Sequence, residues 1–214
     1  MSLSARLLPP EFYLRTDVVQ IAKDLLGKIL FTEIDGVISS GKIVETEAYR
    51  GPDDRACHAW NYRRTPRTEV MFGAGGHAYV YICYGIHHLF NVVTAPSDDA
   101  HAVLIRAVEP IENVELMLAR RGFSKPIPAL TAGPGALSKA LGITTGLNGA
   151  NLYAPDSPIR ILDAGYKVEK IMEGKRIGVE SAGESAHWPW RFWEAGNSWV
   201  SKGSGRLRDS SAKA

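Results

Sequence analysis

Cysteine is scarce in this sequence, and long apolar runs are missing from it. The two cysteines among its 214 residues, Cys57 and Cys83, are too few for a disulfide framework or a four-thiolate metal site. No apolar run approaches the roughly 18 residues that a membrane-spanning helix needs. The first ten residues also lack the charged and apolar regions of a secretory signal. We therefore expect an intracellular protein that does not span a membrane.

Net charge is almost absent as well. Lysine and arginine total 25 and aspartate and glutamate total 23, so the formal charge is only +2. This balance excludes a histone-like polycation, but it allows a nucleic-acid binder with one basic face. Basic residues concentrate in 50–67 and 191–214, and acidic residues in 98–115. Ordinary solvated surface is the alternative explanation of these clusters.

The hydrophobic fraction of 45% and the charged fraction of 22% are typical of a globular protein. We predict an α+β fold with a mainly antiparallel sheet and flanking helices, in a single compact domain over residues 1–202 with a flexible tail over 203–214. The predicted helices cover 12–27, with Thr16 as the cap, 109–121 and 134–141. The predicted strands cover 28–35, 37–49, 78–84, 89–94, 103–108, 160–163 and 176–179, and a long loop covers 51–78.

The segment Ile43–Tyr49 contains an unusual pair of glutamates. In a regular strand Glu45, Glu47 and Tyr49 lie on one face. The two glutamates would then lie roughly 6.6 Å apart. That separation approaches the one at which an inverting glycosidase holds its acid and its base. An exposed strand face is the alternative, although glutamate is depleted in strands.

Two other regions could carry chemistry. The loop after Tyr49 contains His58 and the run Arg63-Arg64-Thr65-Pro66-Arg67, which suits phosphate contacts or plain solvent exposure. The predicted hairpin over residues 79–93 contains three tyrosines: Tyr79 and Tyr81 suit a strand, and Tyr84 lies at its tip. An aromatic side chain at such a tip can enter a base step. The histidines lack metal-ligand spacing, so no metal is expected, and both cysteines are interpreted as buried hydrophobes.

Together these motifs resemble the 3-methyladenine (alkyladenine, methylpurine) DNA glycosylases. The resemblance runs from Leu25 to Ser201 and depends on an ordered set of segments rather than on one motif. These segments are 43–49, 51–52 with His58, 64–67, 71–72, 79–81, 84–85, Asn91, 104–110, 133–134, 176–178 and 182–184.

The resemblance implies a role for particular residues. Glu47 matches the general base, and Arg106 and the backbone carbonyl of Ile177 match the groups that hold the attacking water. The implied base pocket consists of Tyr49, His58, Tyr81 and Asn91, and the implied DNA contacts are Tyr84, on a protruding β-hairpin that inserts into DNA, Arg63 and Thr65. Ile86 and His87, which follow the tip, replace the methionine and tyrosine of vertebrate members and would lie in the minor-groove contact.

The implied function is a monofunctional glycosylase that flips out alkylated or deaminated purines and hydrolyses the N-glycosidic bond, which starts base excision repair. The implied partner is double-stranded DNA with damaged purines, bound by a monomer without cofactor, metal or membrane. The expected location is the cytoplasm, at the nucleoid of a bacterium, or the nucleus of a eukaryote. Two alternatives stay open: a non-catalytic nucleic-acid binding module, and a two-carboxylate glycosidase of small nucleosides that uses Glu45 and Glu47.

Overall fold

A computed structural model of the chain describes residues 5–203. The predicted tail falls almost wholly on residues 204–214, which lie outside this range. Within the described residues, nine strands form one sheet and every pairing between strands is antiparallel. The strands are β1 (Arg6–Leu7), β2 (Ile29–Ile34), β3 (Val37–Arg50), β4 (Ala78–Cys83), β5 (His87–Thr94), β6 (His101–Glu112), β7 (Ile159–Asp163), β8 (Ile171–Gly174) and β9 (Arg191–Glu194). The predicted α+β class with a mainly antiparallel sheet is therefore confirmed.

The sheet places the longest strand, β3, at its centre. The strands follow the order β1-β7-β2-β3-β6-β5-β4, while β9 pairs with a second part of β3 and β8 pairs with β9. The helices are α1 (Pro10–Tyr13), α2 (Val18–Asp24), α3 (Val114–Arg121) and α4 (Pro134–Leu141). Short 3₁₀ turns occupy Trp60–Tyr62, Glu69–Phe72, Pro128–Leu130, Thr145–Leu147 and Glu180–His187. No helix in the described part of the chain is long and apolar enough to cross a membrane.

The main hydrophobic core lies between the central strands and the helices. Its fully buried residues include Ile43 and Ile105 from the sheet, Ile21 from α2 and Leu137 from α4. A second, smaller core lies under the long loop over residues 51–77, where Met71, Phe72 and Tyr79 pack together. The long loop is thus anchored by its own apolar contacts, and it forms one wall of the site described below.

Two turns were predicted correctly from local sequence. Asp35 and Gly36 connect β2 to β3 with φ angles of 53° and 73°, the left-handed pair that a two-residue hairpin needs. Tyr84, Gly85 and Ile86 connect β4 to β5, with Tyr84 at φ 50°. The α4 boundaries also agree with the prediction, since Pro134 begins the helix and Gly142 follows it in the left-handed conformation.

Two helix predictions were wrong in their extent. Residues 12–27 form two helices instead of one, and α2 is capped by Asp17, whose carboxylate accepts from the Gln20 N–H at 2.9 Å, instead of by Thr16. Residues 109–112 extend β6 instead of starting α3, because β3 is long enough to pair with them. Pro110 lies opposite Gly41, where a Cβ atom would come within 2.8 Å of the Val108 side chain.

The predicted strand over residues 176–179 is also wrong. The chain there forms no strand, and β8 lies earlier, over Ile171–Gly174. The residues at 176–179 instead make irregular contacts through their side chains and amides, and these contacts belong to the site.

Candidate active site

A cavity of about 540 Å³ opens between β3, β4, β5 and β6, the long loop, and the two segments 132–136 and 177–179. Its lining includes eight of the residues predicted from sequence: Tyr49, His58, Tyr81, Tyr84, His87, Asn91, Arg106 and Ile177. These residues are spread over more than 120 positions of the chain, and the sheet brings them together. Glu47 lies directly behind the lining instead of in it.

Glu47 is fully buried and is held by two hydrogen bonds and one ion pair. The Tyr49 hydroxyl donates to its Oε2 at 2.7 Å, and the Ile177 N–H donates to its Oε1 at 2.8 Å. Arg106 Nη1 lies 3.2 Å from the same Oε1. Because a carboxylate offers about four lone-pair sites, these three contacts leave one site for a further donor. All three partners line the cavity, and the carboxylate lies directly beneath them. Tyr49, Arg106 and Ile177, with Glu47 beneath them, form the cavity floor.

Burial raises the pKa of Glu47 above its usual value. The Arg106 charge, the Tyr49 hydroxyl and the Ile177 N–H act against this rise without cancelling it. The Arg106 charge favours the ionised carboxylate, but the net direction of the shift in the pKa of Glu47 is upward. A raised pKa suits a general base, because proton transfer is most efficient when the pKa lies near the working pH.

Glu45 does not lie on an exposed strand face, so that alternative is wrong. Its carboxylate is fully buried and accepts from Arg106 Nε at 2.8 Å and from the Ser201 N–H at 2.7 Å. The cavity lining does not include it. Glu45 and Glu47 therefore lie on the same side of the cavity and share Arg106, which lines it, instead of facing a substrate from two sides.

Ile177 contacts Glu47 through its amide, whereas the resemblance implied a role for its carbonyl. The segment is held from behind by the buried ion pair of Arg176 and Asp54. Arg176 also donates to the Ala48 carbonyl at 2.8 Å and lies 4.7 Å from the centroid of the Tyr49 ring. Asp54 was not predicted as a site residue, and an acidic residue within the arginine-rich loop was the signal that could have found it.

The cavity wall opposite the floor is aromatic. His58 Nδ1 lies 2.9 Å from the Tyr79 hydroxyl, and its ring meets the Tyr81 ring edge-on at 4.7 Å between centroids. Burial, followed by the charges of Arg67 and Arg63, lowers the pKa of His58 to about 4, so the imidazole is neutral near pH 7. The wall therefore carries no cation at His58, and its electron-rich faces suit an electron-poor or cationic ring.

Asn91 completes this wall from β5. It is buried, and its side-chain amide donates to the backbone carbonyl of Tyr79 at 3.1 Å. This bond fixes the orientation of the amide group. The placement agrees with a pocket residue and keeps its polar atoms near the cavity.

Sequence reasoning missed several lining residues. Arg67 is one of them: its guanidinium carbon lies 4.8 Å from the centroid of the Tyr81 ring, at the cavity wall. Gly135 is another, and a Cβ atom there would come within 3.0 Å of the His87 ring. Arg67 lies in one segment of the family resemblance, 64–67, and Gly135 lies beside another, 133–134. The resemblance gave neither residue a role. Cys57 is buried as predicted, but Cys83 is partly exposed in the wall.

Tyr84 lies at the rim of the cavity, and the remaining predicted residues, Ile86, Arg63 and Thr65, lie outside its lining. Tyr84 is 88% exposed and Ile86 is 72% exposed, so the β4–β5 turn carries its apolar side chains into solvent. Arg63 is exposed on the long loop. Thr65 is only half-buried, and its hydroxyl contacts that of Thr68 at 3.1 Å, so its side chain stabilises its own loop.

Comparison with known proteins identifies relatives over most of the chain. The family described as Methylpurine-DNA glycosylase (MPG) matches residues 11–198. A Bacillus cereus (strain G9842) protein named "Putative 3-methyladenine DNA glycosylase" is 47% identical over 202 residues, which cover 91% of this chain and 98% of the relative. A Bacillus thuringiensis (strain Al Hakam) protein of the same name is 46% identical with the same coverage.

Proposed function

The chain belongs to the methylpurine-DNA glycosylase family, and we propose that it releases alkylated or deaminated purines from double-stranded DNA. As a 3-methyladenine DNA glycosylase it is a hydrolase of N-glycosyl compounds. The proposed lesions are 3-methyladenine, 7-methylguanine, hypoxanthine and ethenoadenine. The product is an abasic site, from which base excision repair proceeds. We expect the enzyme to act as a monomer.

One observation carries this proposal. A fully buried carboxylate, Glu47, lies at the floor of a tyrosine-walled cavity and against a buried arginine, Arg106. The cavity volume of about 540 Å³ suits a single purine with part of its sugar. A purine inside a duplex cannot present its sugar carbon to this floor. The nucleotide must therefore rotate out of the stack before the reaction, at a cost of a few kcal/mol.

The proposed chemistry needs one base and one water. Glu47 accepts a proton from the water, and the water oxygen forms a bond to C1′ of the sugar. The N-glycosidic bond breaks, and its electron pair leaves with the purine. Alkylated purines are electron-poor and leave readily, and the faces of Tyr49 and Tyr81 suit such a ring. No covalent enzyme intermediate is required, in keeping with a glycosylase that lacks lyase activity.

The DNA contacts are proposed mainly from the exposure of side chains at the β4–β5 turn and on the long loop. Tyr84, at the turn between β4 and β5, is the largest exposed side chain there and would fill the gap that the rotated nucleotide leaves. Ile86 and His87 follow it and would lie in the minor groove. Arg63 and Thr65 on the long loop would contact the DNA backbone, although Thr65 must share its hydroxyl with Thr68.

The test is base release from defined duplexes. Duplexes with a single hypoxanthine or ethenoadenine, and a methylated duplex, are incubated with the protein and then treated with alkali, which cleaves at abasic sites. We expect strand cleavage with wild-type protein, and none with Glu47→Gln, which should still bind the lesion duplex. Folded wild-type protein that releases no base from any duplex would refute the function. A Glu47→Gln variant with normal turnover would refute the role of Glu47 alone.

A further inference from the structure

We propose that Glu45 is a positioning residue, which aims the Arg106 guanidinium at Glu47 and is itself held in place by Ser201. This inference depends on the proposed role of Glu47. Glu45 is fully buried and does not line the cavity. Its other donors, Ser201 and Arg191, do not line the cavity either, whereas all three partners of Glu47 do. Arg106 is therefore the contact that connects Glu45 to the cavity, and any effect of Glu45 on the reaction should pass through it.

The contacts of Arg106 support this role. Its Nε donates to Glu45 at 2.8 Å, its Nη1 lies 3.2 Å from Glu47, and its Nη2 donates to the Ser201 hydroxyl at 3.4 Å. Each guanidinium nitrogen therefore has its own partner. Because the guanidinium is planar and rigid, a partner that fixes Nε also fixes the direction of Nη1.

Glu45 is itself held in place by several donors. The Ser201 N–H donates to Oε2 at 2.7 Å, and the Ser201 hydroxyl donates to Oε1 at 2.9 Å. Arg191 Nη1, from β9, lies 3.2 Å from the same Oε1. Ser201 follows β9 by several residues and reaches Glu45 from 156 positions away in the sequence. A carboxylate with this many buried donors has a single orientation.

The strand geometry also serves this arrangement. The pairing of β3 with β6 shifts in register on both sides of Glu45. In its pairing with β9, Glu45 lies opposite Trp193 and Glu47 lies opposite Arg191. A β-bulge of this kind redirects a side chain, and bulges are common beside active sites. Here the irregularity lies where two carboxylates must reach one arginine.

The charges around Glu47 give the inference a test that a purely structural role of Glu45 would not meet, namely a shift in the pKa of Glu47. The charged and titratable groups around Glu47 are Arg106 from β6, Glu45 and Tyr49 from β3, Arg176 and Tyr81. Arg191 from β9 lies opposite Glu47 in the strand pairing, but its guanidinium pairs with Glu45. Of the nearest groups, Glu45 raises the pKa of Glu47 and Arg106 lowers it. Replacing Glu45 with glutamine removes a negative charge and leaves more of the Arg106 charge for Glu47. The pKa of Glu47 should fall.

The experiment compares Glu45→Gln with Glu109→Gln, a matched change at a partly exposed glutamate that pairs with Lys42 instead of the site. Single-turnover base release, the Kd for a lesion duplex and the pH profile are measured. We expect Glu45→Gln to slow release about 10–100-fold, as for other residues that orient a functional group from behind. The Kd should stay within about twofold of wild type, and the acid limb of the profile should move to lower pH.

Several outcomes would overturn the inference. A wild-type rate and profile in Glu45→Gln would do so, as would a rate loss with an unmoved acid limb. Equal losses in Glu45→Gln and Glu47→Gln, together with turnover of free nucleosides, would instead indicate a two-carboxylate glycosidase. If Glu45→Gln does not fold, Ser201→Ala tests the same contact: a smaller rate loss supports the inference, and an unchanged rate contradicts it. An active Glu47→Gln would instead refute the proposed role of Glu47, on which the inference depends.

A different observation supports a second inference: we infer that the segment Trp60–Tyr62 is an additional contact to duplex DNA beside the lesion. Trp60 is 42% exposed and Tyr62 is 65% exposed, although both are large aromatic residues. Asn61 and Tyr62 are both left-handed, at φ 55° and 56°, a conformation that asparagine tolerates but that is unfavourable for tyrosine. The Asn61 N–H donates to the Pro52 carbonyl at 2.7 Å and holds this conformation.

The position and charge of the segment favour DNA as its partner. It runs between His58 and Arg67, which both line the cavity, so it must lie near the cavity mouth. Arg55 lies 5.2 Å from the centroid of the Trp60 ring, and Arg63 follows Tyr62 on the exposed loop. Aromatic rings that stack on bases, beside arginines that meet phosphates, are the usual equipment of nucleic-acid contacts.

The test compares Tyr62→Ala with Tyr166→Ala, a 39% exposed tyrosine that precedes β8. We expect Tyr62→Ala to weaken the Kd for an undamaged duplex about fivefold or more, within the range of lost stacking contacts. Tyr166→Ala should bind the duplex and release base as wild type does. Equal affinity of Tyr62→Ala and wild type would refute this contact, and base release by the wild-type protein keeps that result separate from the proposed function.

Discussion

The cavity floor and the β4–β5 turn are both assigned to the same reaction, yet they differ in nearly every physical respect. At the floor, Glu47 and Arg106 are buried, as is Glu45 behind them, and each contacts partners far away in the sequence. At the turn, Tyr84 and Ile86 are among the most exposed apolar residues of the described chain. The floor obtains its geometry from the protein, and we expect the turn to make its main contacts with the substrate.

This difference has an energetic meaning. Charges interact more strongly in a low-dielectric interior, so the floor can hold a base with an altered pKa. The same burial makes any unpaired charge there costly. An exposed tip has no such cost. Truncating its side chains removes few contacts in the free protein, so the free energy of unfolding should change little. Substitutions at the floor should therefore affect folding and chemistry, and those at the turn should affect DNA binding alone.

The largest effect on stability is expected from Arg106→Met. This change leaves the Glu45 and Glu47 carboxylates buried without their shared arginine. The free energy of unfolding should fall by about 3–5 kcal/mol, as when one partner of a buried pair is removed. Urea denaturation measures the change. Arg64→Met is the control, because the Arg64–Glu69 pair is exposed. Equal losses of unfolding free energy in the two variants would show that the buried pairs of Arg106 contribute no more than an exposed pair.

The next effect is on the pH dependence of base release. Glu47 must be ionised to accept a proton, so the rate should fall about tenfold per pH unit below its pKa. Burial raises this pKa, and the fall should therefore begin at a higher pH than for an ordinary glutamate. Single-turnover rates on one hypoxanthine duplex, taken from acidic to mildly alkaline pH, give the profile. A rate that is flat down to the usual range of glutamate would contradict the assignment.

The turn should respond differently. Tyr84→Ala should weaken binding to a lesion duplex by about tenfold, since the inserted ring would be lost. Thermal unfolding should be unchanged, because the ring is 88% exposed. Tyr84→Phe keeps the ring and should bind almost as wild type. A drop in Tm with Tyr84→Ala would show that the turn is coupled to the core.

The smallest expected effect is on the free energy of unfolding of Glu47→Gln. The raised pKa of Glu47 means that its ionised form weakens the folded state at neutral pH. Glu47→Gln removes this charge, while Arg106 keeps its bond to Glu45. The variant should be more stable than wild type by about 1 kcal/mol at neutral pH, a typical gain from relaxing an active site. In urea denaturation, the difference should disappear as the pH falls through the pKa of Glu47, where the wild-type carboxyl is also neutral.

Local sequence was sufficient for elements whose signals lie within a few residues. The Asp35-Gly36 turn, the boundaries of α4 and the β4–β5 pair needed only turn chemistry and propensity. Local signals predicted the wrong element where a distant strand offered pairing partners. Residues 109–112 carry a helix-start signal, with Pro110 at the first position, yet they pair with β3 because its length offers them partners.

The candidate site divides in the same way. The residue types that it uses could be read from the chain: two glutamates in one strand, an arginine in another, and tyrosines on a hairpin. The folded arrangement was needed to show that Glu45 and Glu47 share Arg106, which lines the cavity, and that Ile177 offers its N–H to Glu47. Burial and shared partners depend on contacts across more than 100 positions, and local patterns do not encode such contacts.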